Sequence, residues 1–193
     1  MTKILVLYYS AGGTTKSLAH LVARGVEKQG AEAIVRTVPS LNNHNTDDEL
    51  SSDGDIYVVK EDLLECDGLA VGSPTRFGTM AAPLKHFLEQ TSDFWLTGKL
   101  ANKPVGFFTS SSMLHAGQES TLLSMILPFL HHGMLVCGLP FSQTDLIHTS
   151  SGGSPYGASH WNGEDSNLKI SDEEKRLAIA QGERLAKFAS QLK

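Results

Sequence analysis

Short apolar runs alternate along this chain with longer, half-apolar segments. Runs of Ile, Leu, Val and aromatic residues with few polar interruptions are typical of strands that are buried on both faces of a parallel sheet. Their length, about five or six residues, also suits strands rather than helices. We therefore predict strands at residues 4–9, 33–38, 68–72, 104–109 and 134–139.

The segments between these strands carry apolar residues three or four positions apart, which predicts helices. The first helix runs over residues 15–29 and is stopped by Gly30. Residues 122–130 are apolar nearly all round, so we expect a buried helix with a subunit interface as its burial partner. The last helix opens with a capping box from Ser171 to Glu174.

This alternation predicts an α/β fold, a doubly wound parallel sheet of five strands with helices on both faces. The length of 193 residues fits a single domain over 1–193. In such sheets ligands bind at the carboxyl ends of the strands, near the point where the strand order reverses. Three segments rich in Gly, Ser and Thr follow strands and are expected to converge there: 10–15, 74–80 and 110–117.

The first of these segments joins a strand to a helix and reads Ser10-Ala11-Gly12-Gly13-Thr14-Thr15. Its glycines permit a sharp turn, and Thr14 or Thr15 can cap the helix. The N–H groups of a first helical turn form an anion site, so we predict that this loop cradles a phosphate. An ordinary glycine-rich turn is the alternative that such a short motif leaves open.

The residues missing from this loop narrow the choice of phosphate. A triphosphatase P-loop would need Gly at positions 10 and 15, where Ser10 and Thr15 stand. The G-x-G-x-x-G pattern of dinucleotide sites is absent as well. Several hydroxyls around one point suit the three oxygens of a terminal monoester. This favours a mononucleotide, and we expect FMN.

Composition argues against several classes of protein. The net charge is −5 and there is no Lys/Arg cluster, so we expect no nucleic-acid partner. The first apolar run is too short for a secretory signal or a membrane span, so we expect a cytoplasmic protein without membrane insertion. Cys66 and Cys137 are expected to be buried free thiols, and the histidines lack metal-ligand spacing. The polar segment 39–55 is assigned no chemistry.

Four motifs carry a resemblance to a known family: YYSAGGTT, GSPTRFGTM, HHGM and GGSPYGASHWNG. Together they resemble the WrbA-type NAD(P)H:quinone oxidoreductases, which are flavodoxin-like FMN enzymes. The resemblance covers nearly the whole chain. It implies a homotetramer that binds FMN and takes NADH or NADPH and a quinone as substrates.

The resemblance also implies roles for single residues. Ser10–Thr15 would hold the FMN phosphate, and Trp95 would form a wall of the quinone pocket. One border of the flavin ring would be Thr75, Arg76 and Phe77. The other edge would be lined by Ser110, Ser111, Ser112, Met113, Leu114 and His115. A histidine of HHGM, His131 in preference to His132, would approach the ring from another subunit.

Two positions depart from the family pattern. Gly12 stands where some members carry an aromatic residue that holds the nicotinamide dinucleotide, and residues 112–116 replace a glycine-richer loop. Taken singly, several residues also fit structural roles. Trp95 could be a packed tryptophan, Arg76 a partner in a surface ion pair, and Phe77 a core residue. The histidines could likewise be structural, and Trp161 and Met113 are interpreted as structural.

Charge separates the possible functions. Arg76 is the only charged residue in PTRFGTM, and the first acid after Thr109 is Glu119. Carboxylates near a reduced, anionic flavin raise its energy and favour one-electron chemistry, whereas a neutral or positive surround tolerates it. We therefore expect two-electron hydride transfer at flavin N5, in ping-pong order and without a catalytic side chain. The alternatives are a flavodoxin-type one-electron carrier and an FMN-binding partner or regulatory protein.

Overall fold

A computed structural model describes residues 1–42, 50–51, 54–163 and 167–193. The strands are β1 Lys3–Tyr8, β2 Glu32–Thr37, β3 Gly68–Pro74, β4 Pro104–Ser111, β5 Leu135–Val136 and β6 Ala158–Trp161. The helices are α1 Thr14–Lys28, α2 Lys60–Glu65, α3 Ala82–Glu89, α4 Ser92–Leu96, α5 Gln118–His131, α6 Asp145–His148 and α7 Asp172–Leu192. The polar segment 39–55 lies partly outside the described residues, at positions 43–49 and 52–53.

The named strands pair in parallel, and β2, β1, β3 and β4 follow one another across the sheet. The fifth position is shared by two strands. β5 pairs with the beginning of β4, and β6 pairs with its end. The order reverses between β1 and β3, which confirms the predicted doubly wound sheet.

The fifth strand is shorter than the sequence predicts. Of residues 134–139, only Leu135–Val136 forms a strand. The chain then leaves the sheet, and the carbonyl of Pro155 packs against Gly138 so closely that a Cβ there would lie 2.2 Å from its oxygen. The rest of β4 is paired with β6, which lies in a Gly/Ser/Pro-rich stretch for which the sequence predicts a loop. Among the described residues the sheet therefore has six strands rather than five.

Alternate residues of the central strands pack on opposite sides of the sheet. Leu5 of β1 belongs to a core covered by α3 and α5, whereas Val6 belongs to a core covered by α1 and α7. These last two helices are in very close contact. A Cβ at Gly25 or at Gly182 would lie 2.0 Å from a carbonyl oxygen of the other helix. Helices therefore cover both faces, as the sequence predicts.

Several element ends differ from prediction by one or two residues, and three of them lie beside the predicted site: the start of α1 and the ends of β3 and β4. β3 continues to Pro74 rather than ending at residue 72. α1 begins at Thr14, with Gly13 as its N-cap at φ +84° and no hydrogen bond from a capping side chain. The prediction that Thr14 or Thr15 caps this helix is therefore wrong, because a glycine in the left-handed region takes the cap position. β4 ends at Ser111 rather than at residue 109, so Ser110 and Ser111 are buried strand residues rather than loop residues.

Only one face of α5 is buried within the chain. Leu122 and Met125 pack in the core, but Leu123, Leu127 and Leu130 are exposed along the opposite side and form a leucine stripe. A single chain therefore does not bury this helix all round, and the predicted subunit interface stays a prediction. Within the described ranges, no helix combines the length and apolar content needed to span a bilayer.

Candidate functional site

The carboxyl ends of β1, β3, β4 and β6 surround a cavity of about 350 Å³, here called the main cavity. Its volume falls within the range of small-ligand sites, about 300–1,000 Å³. It is lined by Ser10, Ala11, Gly12, Thr14, Thr15, Pro74, Thr75, Arg76, Ser110, Ser111, Ser112 and Asn162. The fold therefore brings together the three segments that the sequence expects to converge.

The loop after β1 presents its backbone to the main cavity. Gly13 donates its N–H to Ser10 Oγ at 3.0 Å, which tightens the turn before α1. A Cβ at Gly12 would meet no atom within 4 Å, so the space beside the loop is open. No described side chain caps α1, and its first turn holds no acid, so its first N–H groups are available to an anion.

Two buried hydroxyls contribute to the same lining. Thr15 Oγ1 and Ser110 Oγ lie 2.8 Å apart, so one donates to the other and one proton of the pair remains for a ligand. Ser10 Oγ accepts from Gly13, which leaves the Ser10 proton available too. Among the described lining residues there is no carboxylate, and Arg76 carries the only charge. The main cavity is therefore suited to an anion.

The loop after β3 uses some of its polar groups internally. Thr75 Oγ1 donates to the carbonyl of Ala116 at 3.2 Å and hydrogen-bonds Thr121 Oγ1 at 2.7 Å. This hydroxyl therefore links the loop after β3 to the segment after β4. Arg76 Nη1 donates to the carbonyl of Thr75 at 2.8 Å, and the described residues offer it no acidic partner within ion-pair distance. Within the described part of the chain, the alternative of a surface ion pair therefore has no support.

Some of the predicted ring contacts lie outside the main cavity. Phe77 is fully exposed, at 105%, and has φ +52°, which is rare for an aromatic residue. It is therefore not a core residue, and backbone strain of this kind concentrates at functional sites. Met113, Leu114 and His115 are exposed as well. Gln118 Nε2 donates to the carbonyls of Met113 and Leu114, at 3.1 and 2.8 Å, and holds this segment in place.

Trp95 and His131 border a different cavity, of about 310 Å³, here called the tryptophan cavity. The described lining residues of the two cavities do not overlap. Its lining also includes His132, Thr91 and the apolar side chains of Leu88 and Pro128. Within one chain, the structure therefore does not bring the predicted substrate residues to the predicted phosphate loop.

The two histidines of the tryptophan cavity differ in their surroundings. The Thr91 hydroxyl donates to the carbonyl of Leu88 at 2.7 Å, so its oxygen accepts from His132 Nε2 at 3.1 Å. Burial lowers the pKa of His132, and the neighbouring His131 lowers it further. His131 itself is exposed.

Two lining residues of the main cavity received no role of their own from the sequence. Pro74 belongs to the segment 74–80, which is predicted to reach this edge of the sheet, and it does line the cavity. Asn162 follows β6, and its side chain donates from Nδ2 to Thr14 Oγ1 at 3.0 Å. Nothing in the sequence marks this contact, because it depends on a short strand within a segment predicted as a loop. Trp161, interpreted as structural, donates from Nε1 to the carbonyl of Ser112 at 3.1 Å.

Comparison with known proteins places this geometry in a family. Residues 2–144 match the model of the NADPH-dependent FMN reductases. Over its full length the chain is 41% identical to an NAD(P)H dehydrogenase (quinone) from Rhizobium rhizogenes, of which it covers 99%. It is 38% identical over 203 residues to a protein of the same name from Chromohalobacter salexigens, again covering 99% of that relative.

Solved structures agree with this result. A WrbA-like flavodoxin protein from Agrobacterium tumefaciens has a TM-score of 0.71 and 25% identity, and all of both chains is covered. A flavodoxin from the domain Archaea, with a TM-score of 0.63, 18% identity and 98% of this chain covered, supports the fold alone. The predicted resemblance to the WrbA-type proteins and the flavodoxin-like fold are both confirmed. The chain belongs to the NADPH-dependent FMN reductase family.

Proposed function

We propose that this chain is an FMN-dependent NAD(P)H:quinone oxidoreductase that reduces quinones by two electrons. Relatives at 38–41% identity over the full chain are named NAD(P)H dehydrogenase (quinone), and the matching family is named for FMN. We retain the expectation of a single domain over 1–193. We also propose a cytoplasmic location, which suits the free thiols of Cys66 and Cys137.

The residues around the main cavity fit FMN. A phosphate monoester requires several donors, and the loop after β1 combines hydroxyls with the uncapped N–H groups of α1. The open space beside Gly12 leaves room for such a group. We propose that Ser10–Thr15 hold the phosphate, and that Thr75–Phe77 and Ser110–His115 border the ring. FMN, when bound, supplies the hydride chemistry.

The observation that carries this proposal is the charge of the main cavity. Its described lining contains Arg76, several hydroxyls and no carboxylate. A carboxylate lining this cavity would oppose a negatively charged, fully reduced cofactor, whereas the positive charge of Arg76 would stabilise it. Two-electron chemistry gains from this arrangement, and a one-electron carrier would gain from the opposite one.

The chain's own residues then bind and orient the substrates. NADH or NADPH and the quinone occupy the same open side of the site in turn, which is a ping-pong order. Trp95 packs against the flat quinone, and offset aromatic packing of this kind contributes about 1 kcal/mol beyond area burial. No side chain is required as a proton donor, and Gly12 makes no aromatic contact with the nicotinamide dinucleotide.

A homotetramer would bring the two cavities together. The tryptophan cavity of one copy would then face the main cavity of another, with the leucine stripe buried between copies. Trp95 is 48% exposed and lies, with His131, outside the main cavity of its own chain. We retain His131 as the histidine that approaches the ring, because the ring of His132 is hydrogen-bonded to Thr91.

The test is a steady-state assay of FMN-loaded protein with NADH or NADPH and benzoquinone. We expect nicotinamide oxidation well above the rate of the same concentration of free FMN, and parallel double-reciprocal plots. Turnover equal to that of free FMN would overturn the proposal. Stepwise reduction tests the carrier alternative, since accumulation of a blue, one-electron-reduced form would favour a flavodoxin-type carrier.

A further inference from the structure

The segment 160–162 connects two sides of the main cavity, the end of β4 and the beginning of α1. In the register of β6 against β4, Trp161 lies opposite Ser111. The backbone N–H of Asn162 donates to the carbonyl of Ser111 at 2.9 Å, and Trp161 Nε1 donates to the carbonyl of Ser112 at 3.1 Å. The Asn162 side chain reaches the other side of the cavity, where Nδ2 lies 3.0 Å from Thr14 Oγ1.

The amide of Asn162 has one favoured orientation. Its Oδ1 is buried and accepts no hydrogen bond from any described residue. Reversing the amide would place an NH₂ group, with two donors, in that same enclosed position and would leave more hydrogen bonds unmade. Nδ2 is therefore the atom that donates to Thr14.

This orientation determines what Thr14 can offer a ligand. A hydroxyl carries a single proton and can accept as well as donate. Because Thr14 Oγ1 accepts from Asn162, its proton has to go elsewhere. No described protein atom accepts it, and Thr14 lines the main cavity at the beginning of α1. The proton is thus available to an anion bound at the helix terminus.

We propose that Asn162 is a positioning residue of the phosphate site, which directs the hydroxyl proton of Thr14 to the cofactor phosphate. The proposal rests on the proposed function, because it takes the ligand of the main cavity to be FMN. Asn162 acts on the phosphate and not on the flavin ring. It therefore favours FMN over riboflavin, which has no phosphate.

Hydrogen bonds from the residues just before Asn162 to Glu174 of α7 fix the position of Asn162. His160 and Glu174 form a buried pair, with Nδ1 and Oε2 2.7 Å apart. Glu174 Oε1 also accepts from the backbone N–H of Gly152 at 2.8 Å and from that of Trp161 at 3.4 Å. The residue before Asn162 is thereby fixed at both its backbone and its ring, so the amide meets Thr14 in a preset position.

The test compares the affinities of FMN and riboflavin for the apoprotein, measured by quenching of flavin fluorescence. In Asn162→Ala, we expect FMN affinity to fall about tenfold. A factor of ten corresponds to the net free energy of one hydrogen bond to a charged group, here the bond from the Thr14 hydroxyl to the phosphate. Riboflavin affinity should stay within about twofold, which also shows that the variant is folded. Asn162→Asp should weaken FMN binding further, because its carboxylate takes the Thr14 proton and repels the phosphate.

A double-mutant cycle and a matched control complete the design. The double variant Thr14→Val/Asn162→Ala should bind FMN no more weakly than Thr14→Val alone. Each substitution removes the same contact, the hydrogen bond from the Thr14 hydroxyl to the phosphate. Asn167→Ala removes a neighbouring exposed amide and should bind FMN like the wild type. Unchanged FMN affinity in Asn162→Ala, or an equal loss of both flavins, would overturn this inference alone. Failure of the wild type to bind FMN would instead overturn the proposed function.

Discussion

The main cavity and the face around the tryptophan cavity are built in opposite ways. The first is polar and assembled within one chain, from strand ends whose hydroxyls and N–H groups converge. The second is largely apolar and lies beside the exposed leucine stripe of α5. In our proposal, one chain supplies the whole cofactor site through its sheet topology, whereas substrate binding requires a second copy.

The free energy available from burying apolar surface also differs between the two regions. Complete burial of a leucine side chain stabilises by about 1.5–3 kcal/mol. The three leucines of the stripe are roughly half exposed, so covering them would contribute about 1 kcal/mol each. No comparable gain is available at the main cavity, where the described lining is dominated by hydroxyl groups. Assembly should therefore complete the tryptophan cavity and leave the phosphate loop nearly unchanged.

The largest effect is expected from Thr15→Glu. Thr15 is 1% exposed and its hydroxyl pairs with Ser110, so the substitution buries a carboxylate beside the phosphate position. Protein purified with excess FMN should contain none, as measured by absorbance of the flavin. Thr15→Val is the matched control without charge and should retain FMN with weaker affinity. Normal FMN content in Thr15→Glu would mean that the phosphate binds elsewhere.

The next largest effect is expected at the leucine stripe. Leu127→Glu places a charge in the centre of the leucine stripe, where Leu127 is 60% exposed. We expect a smaller assembly in light scattering and a loss of quinone turnover of about 30-fold, since burying the charge in an interface costs at least 2 kcal/mol. FMN content should be unchanged. Leu192→Glu makes the same change at an exposed leucine outside the stripe and should keep both assembly and turnover. An unaltered assembly in Leu127→Glu would contradict the proposed interface.

Trp95→Ala should have a smaller effect, confined to the substrate. We expect turnover with benzoquinone to fall about tenfold, mainly through KM, because the ring's packing against the quinone is lost. FMN affinity should stay at the wild-type value. Leu96→Ala, at a more exposed position of the same helix, is the control and should behave like the wild type. Loss of FMN from Trp95→Ala would place this residue in the fold instead of the substrate pocket.

The sequence predicts the main cavity well because its determinants are local. A strand, a glycine-containing turn and a helix follow one another at Ser10–Thr15, and the parallel topology alone brings Thr75 and Ser110 to the same edge. Helix capping was predicted wrongly, because Thr and Gly both favour cap positions and only the backbone angle at Gly13 decides between them.

The rest of the site depends on contacts that sequence pattern does not encode. β6 has only four residues. It forms a strand because β5 pairs with the beginning of β4 alone, which leaves the end of β4 free to pair with β6. Asn162 reaches Thr14 only because of that pairing, across a separation of 148 positions. The resemblance was enough to predict Trp95 and His131 as substrate-site residues. It did not predict that, within one chain, these residues lie away from the phosphate loop.

The smallest effect is expected from Glu174→Gln, which tests whether α7 holds the main cavity in place and is measured as a change in stability. Burial works to raise the pKa of Glu174, but hydrogen bonds from His160, Ser171 and Gly152 outweigh it and hold that pKa below its ordinary value. The folded state therefore binds this proton less readily than the unfolded state, so the stabilisation is complete above about pH 4.5 and is lost as the pH falls further.

At pH 7 we expect Glu174→Gln to lower the free energy of unfolding by about 2 kcal/mol, which corresponds to a decrease in Tm of roughly 4–8 °C. Glu173→Gln, at the half-exposed neighbouring position where the carboxylate meets only Arg176 among the described residues, should change Tm little. If the difference between Glu174→Gln and wild type were constant from pH 7 to pH 3, the charge of Glu174 would not be what anchors β6 to α7.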